Sequence, residues 1–318
     1  MFKQNIQSFF TYLQSKQTAQ KYLHHCYQNS THIDAESKSF ENCEAFIYYI
    51  KHSQTFYEHG KNVPTELKPL LFFYGMTHLF KAMVLTKRPN YPETTKVLAH
   101  GVSSRKRKKK DYTFMDDEVK IQHHGLFTYF NEHIFNLKSK PFEKINMQHL
   151  LAIIPEMQEL FHLHDQQTLI QVGKVNNTDL QFPINILDNY HLTKQAFMQR
   201  IIPYMPKITN STTTQNFIDI QIVEPIDQSN LIFPFNLSHH SIYFPAMRHL
   251  FIPLPEIMAH YLLLYNLSML SRYETEWWGD LLYNMDNIDY PFIKHFLHVT
   301  SEKVPIIIGN MLYHEHGR

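Results

Sequence analysis

Pro64-Thr65-Glu66-Leu67-Lys68-Pro69-Leu70-Leu71-Phe72-Phe73-Tyr74-Gly75-Met76-Thr77-His78-Leu79-Phe80-Lys81-Ala82-Met83-Val84-Leu85 decides how the chain is read. Proline followed by threonine and glutamate is a helix start signal, and Leu67, Leu70, Leu71, Tyr74 and His78 continue one face to about Leu85. Apolar residues surround much of the rest, so this helix is expected at the centre of a bundle. Thr77, His78 and Lys81 interrupt it, and Pro253, Pro255, Glu256, His260 and Asn266 interrupt the other apolar stretch, 251–270. Both are expected to fall short of a membrane span and to serve as core helices.

Helical spacing extends to either side. Residues 2–29 read as one or two amphipathic helices, and Cys43, Phe46, Ile47, Ile50 and Tyr57 recur at helical spacing within 40–59. Residues 126–135 read as a helix, and 146–163 as another that Pro155 kinks or divides. Pro255 occupies a helix N1 position ahead of 256–271, followed by helices at 274–283 and 290–313, the last interrupted near Pro305. Residues 116–122 alternate like a short strand. Residues 168–175, 217–223, 231–235 and 242–244 are β-like runs separated by prolines, with a helix at 192–202. The expected fold class is mainly α: a helical bundle built from N- and C-terminal helices, with a smaller mixed α/β middle section. Its parts are 1–87, the N-terminal helices; 88–112, an exposed basic connection; 113–250, the mixed section; and 251–318, the C-terminal helices that complete the bundle.

A chain of 318 residues can bury about three quarters of its unfolded surface. Its 43% hydrophobic and 19% charged content is that of a globular protein, and 24 Phe, 19 Tyr and 22 His make its interior rich in rings. Cys26 and Cys43 have neither a framework spacing nor a CxxC pair and read as free thiols of a reducing compartment. Residues 1–5 lack the apolar core of a secretory signal, so a soluble cytoplasmic protein without a membrane span is expected.

The net charge of +1, from 30 basic and 29 acidic residues, conceals an uneven distribution. Removing the six cations of Arg105-Lys106-Arg107-Lys108-Lys109-Lys110 leaves 24 basic against 29 acidic residues, a net of −5. Six consecutive cations repel one another unless anions approach. Phosphates of a nucleic acid or nucleotide, or an acidic protein surface, would serve, and Arg105 and Arg107 can make bidentate contacts. His100, Ser103 and Ser104 just upstream add donors suited to phosphate oxygens. The plainer account is a solvated loop, partly neutralised by Asp111, Asp116, Asp117 and Glu118.

Catalytic signatures are absent. The eight glycines, at 60, 75, 101, 125, 173, 279, 309 and 317, have no GxGxxG or P-loop spacing, and no GxSxG elbow occurs. None of the histidine pairs forms an HExxH or Cys/His finger; His162, His164 and Asp165 are weak metal-ligand candidates, so no cofactor is expected. Arg272, Tyr273, Trp277 and Trp278 could stack a base or contact a partner, against the more frequent role of packing between the last helices.

Phe40-Glu41-Asn42-Cys43 and Lys68-Pro69-Leu70-Leu71-Phe72-Phe73-Tyr74-Gly75 resemble the paired helices of HEPN-type bundles. With Leu98-Ala99-His100-Gly101-Val102-Ser103-Ser104 running into the basic residues, and Leu267-Ser268-Met269-Leu270-Ser271-Arg272-Tyr273-Glu274, nearly the whole chain resembles the YaaC-like family of low-GC Gram-positive bacteria. The resemblance implies a cytoplasmic protein, and the frequent encoding of its relatives beside IMP dehydrogenase implies a link to purine metabolism. HEPN nucleases use an Arg followed four to six residues later by His. None of the seven arginines meets that spacing, so ribonuclease activity by that route is not expected. The preferred expectation is a non-catalytic binding or regulatory protein that engages an anionic partner through the basic loop. The alternatives are a regulator of a metabolic enzyme such as IMP dehydrogenase, and an HEPN-derived ribonuclease or histidine-metal phosphohydrolase. Homo-oligomerisation is left open.

Overall fold

The structure, a computed structural model, describes residues 3–28, 34–104, 112–137, 140–226, 230 and 232–316. The chain divides into two compact units, Met1–Ile145 with His260–Arg318, and Asn146–Ala259. Twelve α-helices among the described residues make the protein mainly helical, and its nine short strands form three small sheets.

In the first unit, α1 (Lys3–Tyr12) and α2 (Lys16–Tyr27) are separated at Ser15, whose hydroxyl caps α2 by accepting from the Thr18 N–H. Asp34 caps α3 (Ala35–Asn62) through the Glu36 and Ser37 amides. The helix start anticipated at Pro64 lies a turn later. There α4 (Lys68–Lys87) carries Pro69 in its first turn, where a missing N–H costs nothing. α4 is long and apolar enough to cross a membrane, contrary to the sequence expectation, but 72% of its apolar window is buried inside the fold. Phe80 stacks on Phe130 at 3.8 Å and on Tyr261 at 5.2 Å, which places this helix in the core.

Three further helices complete this unit after α5 (Leu126–Phe135): α10 (Glu256–Tyr273), α11 (Thr275–Asn284) and α12 (Asp289–His316). The Tyr22 hydroxyl donates to the Leu312 carbonyl at 2.8 Å and that of Tyr27 to Leu85 at 2.9 Å, so both ends of the chain meet in one bundle. α12 runs through Pro305 without the expected interruption. The proline removes one N–H, and the buried Val304, Ile307 and Ile308 around it hold the helix by packing.

The segment expected to be an exposed connection is partly internal. Tyr91, Gly101 and Val102 are buried, and β1 (Val102–Ser104) pairs antiparallel with β2 (Glu118–Ile121), Val102 opposite Ile121 and Ser104 opposite Val119. β3 (Lys144–Asn146) completes the order β1-β2-β3.

The second unit begins with α6 (Met147–Ala152) and α7 (Gln158–His162), divided at Pro155 as that residue dictates. One sheet has the order β4-β9-β8, from β4 (Leu169–Lys174), β9 (Ser241–Pro245) and β8 (Phe235–Asn236); the other has the order β5-β7-β6, from β5 (Asp179–Pro183), β7 (Phe217–Ile222) and β6 (Ile208–Thr213). Ile218, Ile220 and Ile222 alternate inward along β7 and share a core with Phe182, Tyr190, Phe197 and Phe244. α8 (Ile186–Tyr190) and α9 (Lys194–Ile201) supply Tyr190 and Phe197. The run expected at 231–235 reaches strand geometry only at Phe235–Asn236, because Pro234 cannot donate to a ladder.

Candidate functional site

The basic run, Arg105, Lys106, Arg107, Lys108, Lys109 and Lys110, lies outside the described residues. Its flanks are held from both sides. Upstream, Gly101 (φ +79°) and Gly125 (φ +125°) bring two backbone segments into direct contact: a Cβ on Gly125 would stand 2.3 Å from the Gly101 nitrogen. That approach lets the Ala99 and His100 carbonyls accept from Leu126 and Phe127, the first amides of α5, which has no side-chain cap. The Tyr261 hydroxyl donates to the same His100 carbonyl at 2.9 Å, and Gln122 donates to the Ser103 hydroxyl at 2.6 Å.

Downstream, Tyr112 donates to the Asp117 carboxylate at 2.8 Å, and the buried Asn266 amide donates to the same oxygen at 2.8 Å. The Phe114 and Met115 amides donate to Asp289 at 2.6 and 3.3 Å. Asp289 is fully buried in the first turn of α12, where the helix's N-terminal partial charge favours a carboxylate. Burial raises its pKa and the two amide bonds oppose the rise. Of the acidic residues expected to neutralise the run, Asp116 accepts from Thr113 and Glu118 pairs with Lys144 at 3.6 Å.

Beside these anchors is a cationic and aromatic face. The His100 ring is 4.9 Å from Phe73, 5.9 Å from Tyr265 and 6.4 Å from Tyr74. Burial lowers its pKa, and the charges of Arg272 and Lys81 lower it further, so both cations act on one ring. Lys81 is half-buried, 5.9 Å over the Tyr49 ring, with its pKa lowered by burial. Arg272 donates from Nε to the Ser268 carbonyl at 2.9 Å and lies 5.2 Å over Tyr273. Neither cation has a carboxylate partner among the described residues. A half-buried charge without a counter-ion is costly, and an incoming anion would offset that cost.

His78 extends this face. It stacks on Phe56 at 5.7 Å and meets His52 at 5.4 Å, and its enclosed Nδ1 has no hydrogen-bond partner among the described residues. Burial, then Lys81 and His52, push its pKa from 6.5 down to about 4. The unfolded chain therefore takes up a proton over this interval that the folded protein refuses, so His78's contribution to stability is full above pH 6.5 and is lost as pH falls toward 4. Urea midpoints should decline with acidity across that window, and His78→Gln should flatten the decline; equal slopes in the two proteins would contradict this.

The second group read from the sequence joins the first. Trp277 meets Tyr112, on the downstream flank of the basic run, edge-to-face at 4.9 Å, and Arg272 acts on His100 upstream of it. Tyr273 is exposed. Trp278 is instead a core residue, buried with its indole N–H donating to the Glu66 carbonyl at 3.3 Å. Ser103 and Ser104 are half-buried strand residues. His162, His164 and Asp165 are exposed, and among the described residues no group of three or more His, Cys, Asp or Glu could hold a metal ion. Sequence reasoning missed Lys81, His78 and Asp289; the two polar residues set within the most apolar helix were the available signal. Cys26 and Cys43 are free, and burial pushes the Cys26 thiol up to about 12.

These features define a class first: a mainly helical protein in which a helical unit formed from both chain ends encloses, in sequence, a unit with two small antiparallel sheets. Within that class the chain belongs to the YaaC-like protein family, whose model matches residues 11–312. No curated protein and no solved structure matches it.

Proposed function

We propose that the protein is a binding protein that takes a phosphate-bearing polymer, single-stranded RNA, on the face formed by Lys81, His100 and Arg272 together with the adjoining basic run. The observation that carries this reading is the pair of cations without carboxylate partners among the described residues, acting on one half-buried histidine set edge-on or tilted among aromatic rings. Single-stranded nucleic acid is bound by this combination, with cations along the backbone and rings under the bases. The packing of α3 against α4 supports reading the helical unit as HEPN-like, and the absence of the Arg-to-His spacing supports a non-catalytic role.

The test is fluorescence anisotropy with a labelled single-stranded RNA. Lys81→Gln and Arg272→Gln should each weaken binding by at least about tenfold, the loss of one charge-assisted contact. Wild-type affinity in both variants would overturn the assignment of this face.

A second reading is supported by exposed side chains at the C-terminal ends of α10 and α11. Tyr273, Tyr283 and Met285 are 67%, 74% and 52% exposed, as suits contact with a protein partner, IMP dehydrogenase being the one the family resemblance implies. Binding that persists in high salt but is lost on Tyr283→Ser would favour it over the first.

A further inference from the structure

A cleft of about 680 Å³ opens among α1, α3, α4 and α12, all within the helical unit, and it is lined by residues separate from the cationic face. Its size falls in the range of small-molecule sites. Ile6, Phe10, Leu79 and Ile306 supply apolar wall, and the Gln14 and Gln54 amides join across it at 2.6 Å.

Among the described residues, one enclosed side-chain group there lacks a partner, and one helix carbonyl lacks its usual intrahelical donor. Tyr57 lines the cleft, is 5% exposed, and its hydroxyl has no hydrogen-bond partner among the described residues. Its ring is fixed by stacking on Phe72 at 5.6 Å and by Gly75, where a Cβ would come within 2.9 Å of that ring. On α12, Pro305 has no N–H, so the helix provides no i+4 donor for the carbonyl of Ser301, a residue that also lines the cleft. Enclosed polar groups are normally satisfied, so the unpaired Tyr57 donor and the Ser301 carbonyl that Pro305 deprives of its helical donor specify what is missing. The charges lining the cleft cancel: Lys61 pairs with Glu302 at 2.5 Å, and the charge of Lys51 is offset by the opposite charge of Glu58.

We propose that this cleft binds an uncharged small molecule with an apolar ring and an amide or lactam group, whose carbonyl accepts from Tyr57 and whose N–H donates to Ser301. Net neutrality disfavours a carboxylate or an amine, and the unpaired Tyr57 hydroxyl disfavours a hydrocarbon.

Benzamide is the probe, with benzoate and toluene as its charged and apolar counterparts, measured on the full chain by saturation-transfer NMR titration. Benzamide should bind at least about tenfold more tightly than either counterpart, and Tyr57→Phe should weaken it by at least about tenfold. Tyr57→Phe removes an unsatisfied group and should unfold at the wild-type temperature or above, so lost binding is not lost folding. Gln54→Leu, on the more accessible wall, should weaken benzamide as a second readout. No benzamide binding, or equal binding by wild type and Tyr57→Phe, would overturn the proposal.

Discussion

Substituting alanine for Gly125 should destabilise the helical unit by more than about 3 kcal/mol, measured as the shift in urea unfolding followed by far-ultraviolet circular dichroism. Gly125 has φ +125° and ψ 176°, a region open essentially to glycine alone. The steric obstacle is as large as the torsional one. The new Cβ would stand 2.3 Å from the Gly101 nitrogen, 2.4 Å from its Cα and 2.8 Å from the Ala99 carbonyl oxygen, all backbone atoms that no rotamer change can move. Separating the two segments would break the bonds from Leu126 and Phe127 to Ala99 and His100, leaving the first amides of α5 without acceptors. Gly279 supplies the control. A Cβ there meets nothing within 4 Å, and in the interior of α11 alanine should be neutral or stabilising by up to about 1 kcal/mol. Equal behaviour of the two variants would refute the assigned contact.

Neutralising residues 105–110 with glutamine should reduce RNA affinity by at least about a hundredfold at low salt and flatten its salt dependence. Each phosphate neutralised on a single strand contributes a slope of about −0.7, so full engagement of six cations corresponds to a change of about four in the logarithmic slope. The effect should exceed that of Lys81→Gln or Arg272→Gln, since those remove one charge each. The flanks explain why such a variant remains folded: the bonds from Tyr112 to Asp117 and from Phe114 and Met115 to Asp289 involve none of the six side chains. A slope unchanged by neutralisation would remove the run from the binding surface.

Much of the helical framework was readable from periodicity. The helix at 126–135 has the bounds expected, and α4 is as deeply packed as its apolar surroundings implied. The strands were harder, for local reasons. Ile208–Thr213 is half-buried or exposed throughout and lacks the alternation that marks a strand with one core face. Val102–Ser104 is three residues long and follows a proline-rich stretch that reads as loop. The basic run was visible because charge density is a property of neighbours in sequence. The convergence of Lys81, His100 and Arg272 was not, because it arises only when α4, the segment before β1 and α10 pack together. Asp289 was hidden for the same reason: its role depends on amides about 175 residues upstream.

The helical unit's closure imposes an order on synthesis. Tyr22 reaches Leu312 across 290 residues, so α1 and α2 emerge long before the helix that covers them. The unit Asn146–Ala259 is continuous in sequence and can complete its core while that helix is still untranslated. Until α12 emerges, the apolar flanks of α1, α2 and α4 lack the helix that packs on them in the folded unit. Open apolar surface of this kind is aggregation-prone, and a chain stopped before α12 would keep it uncovered.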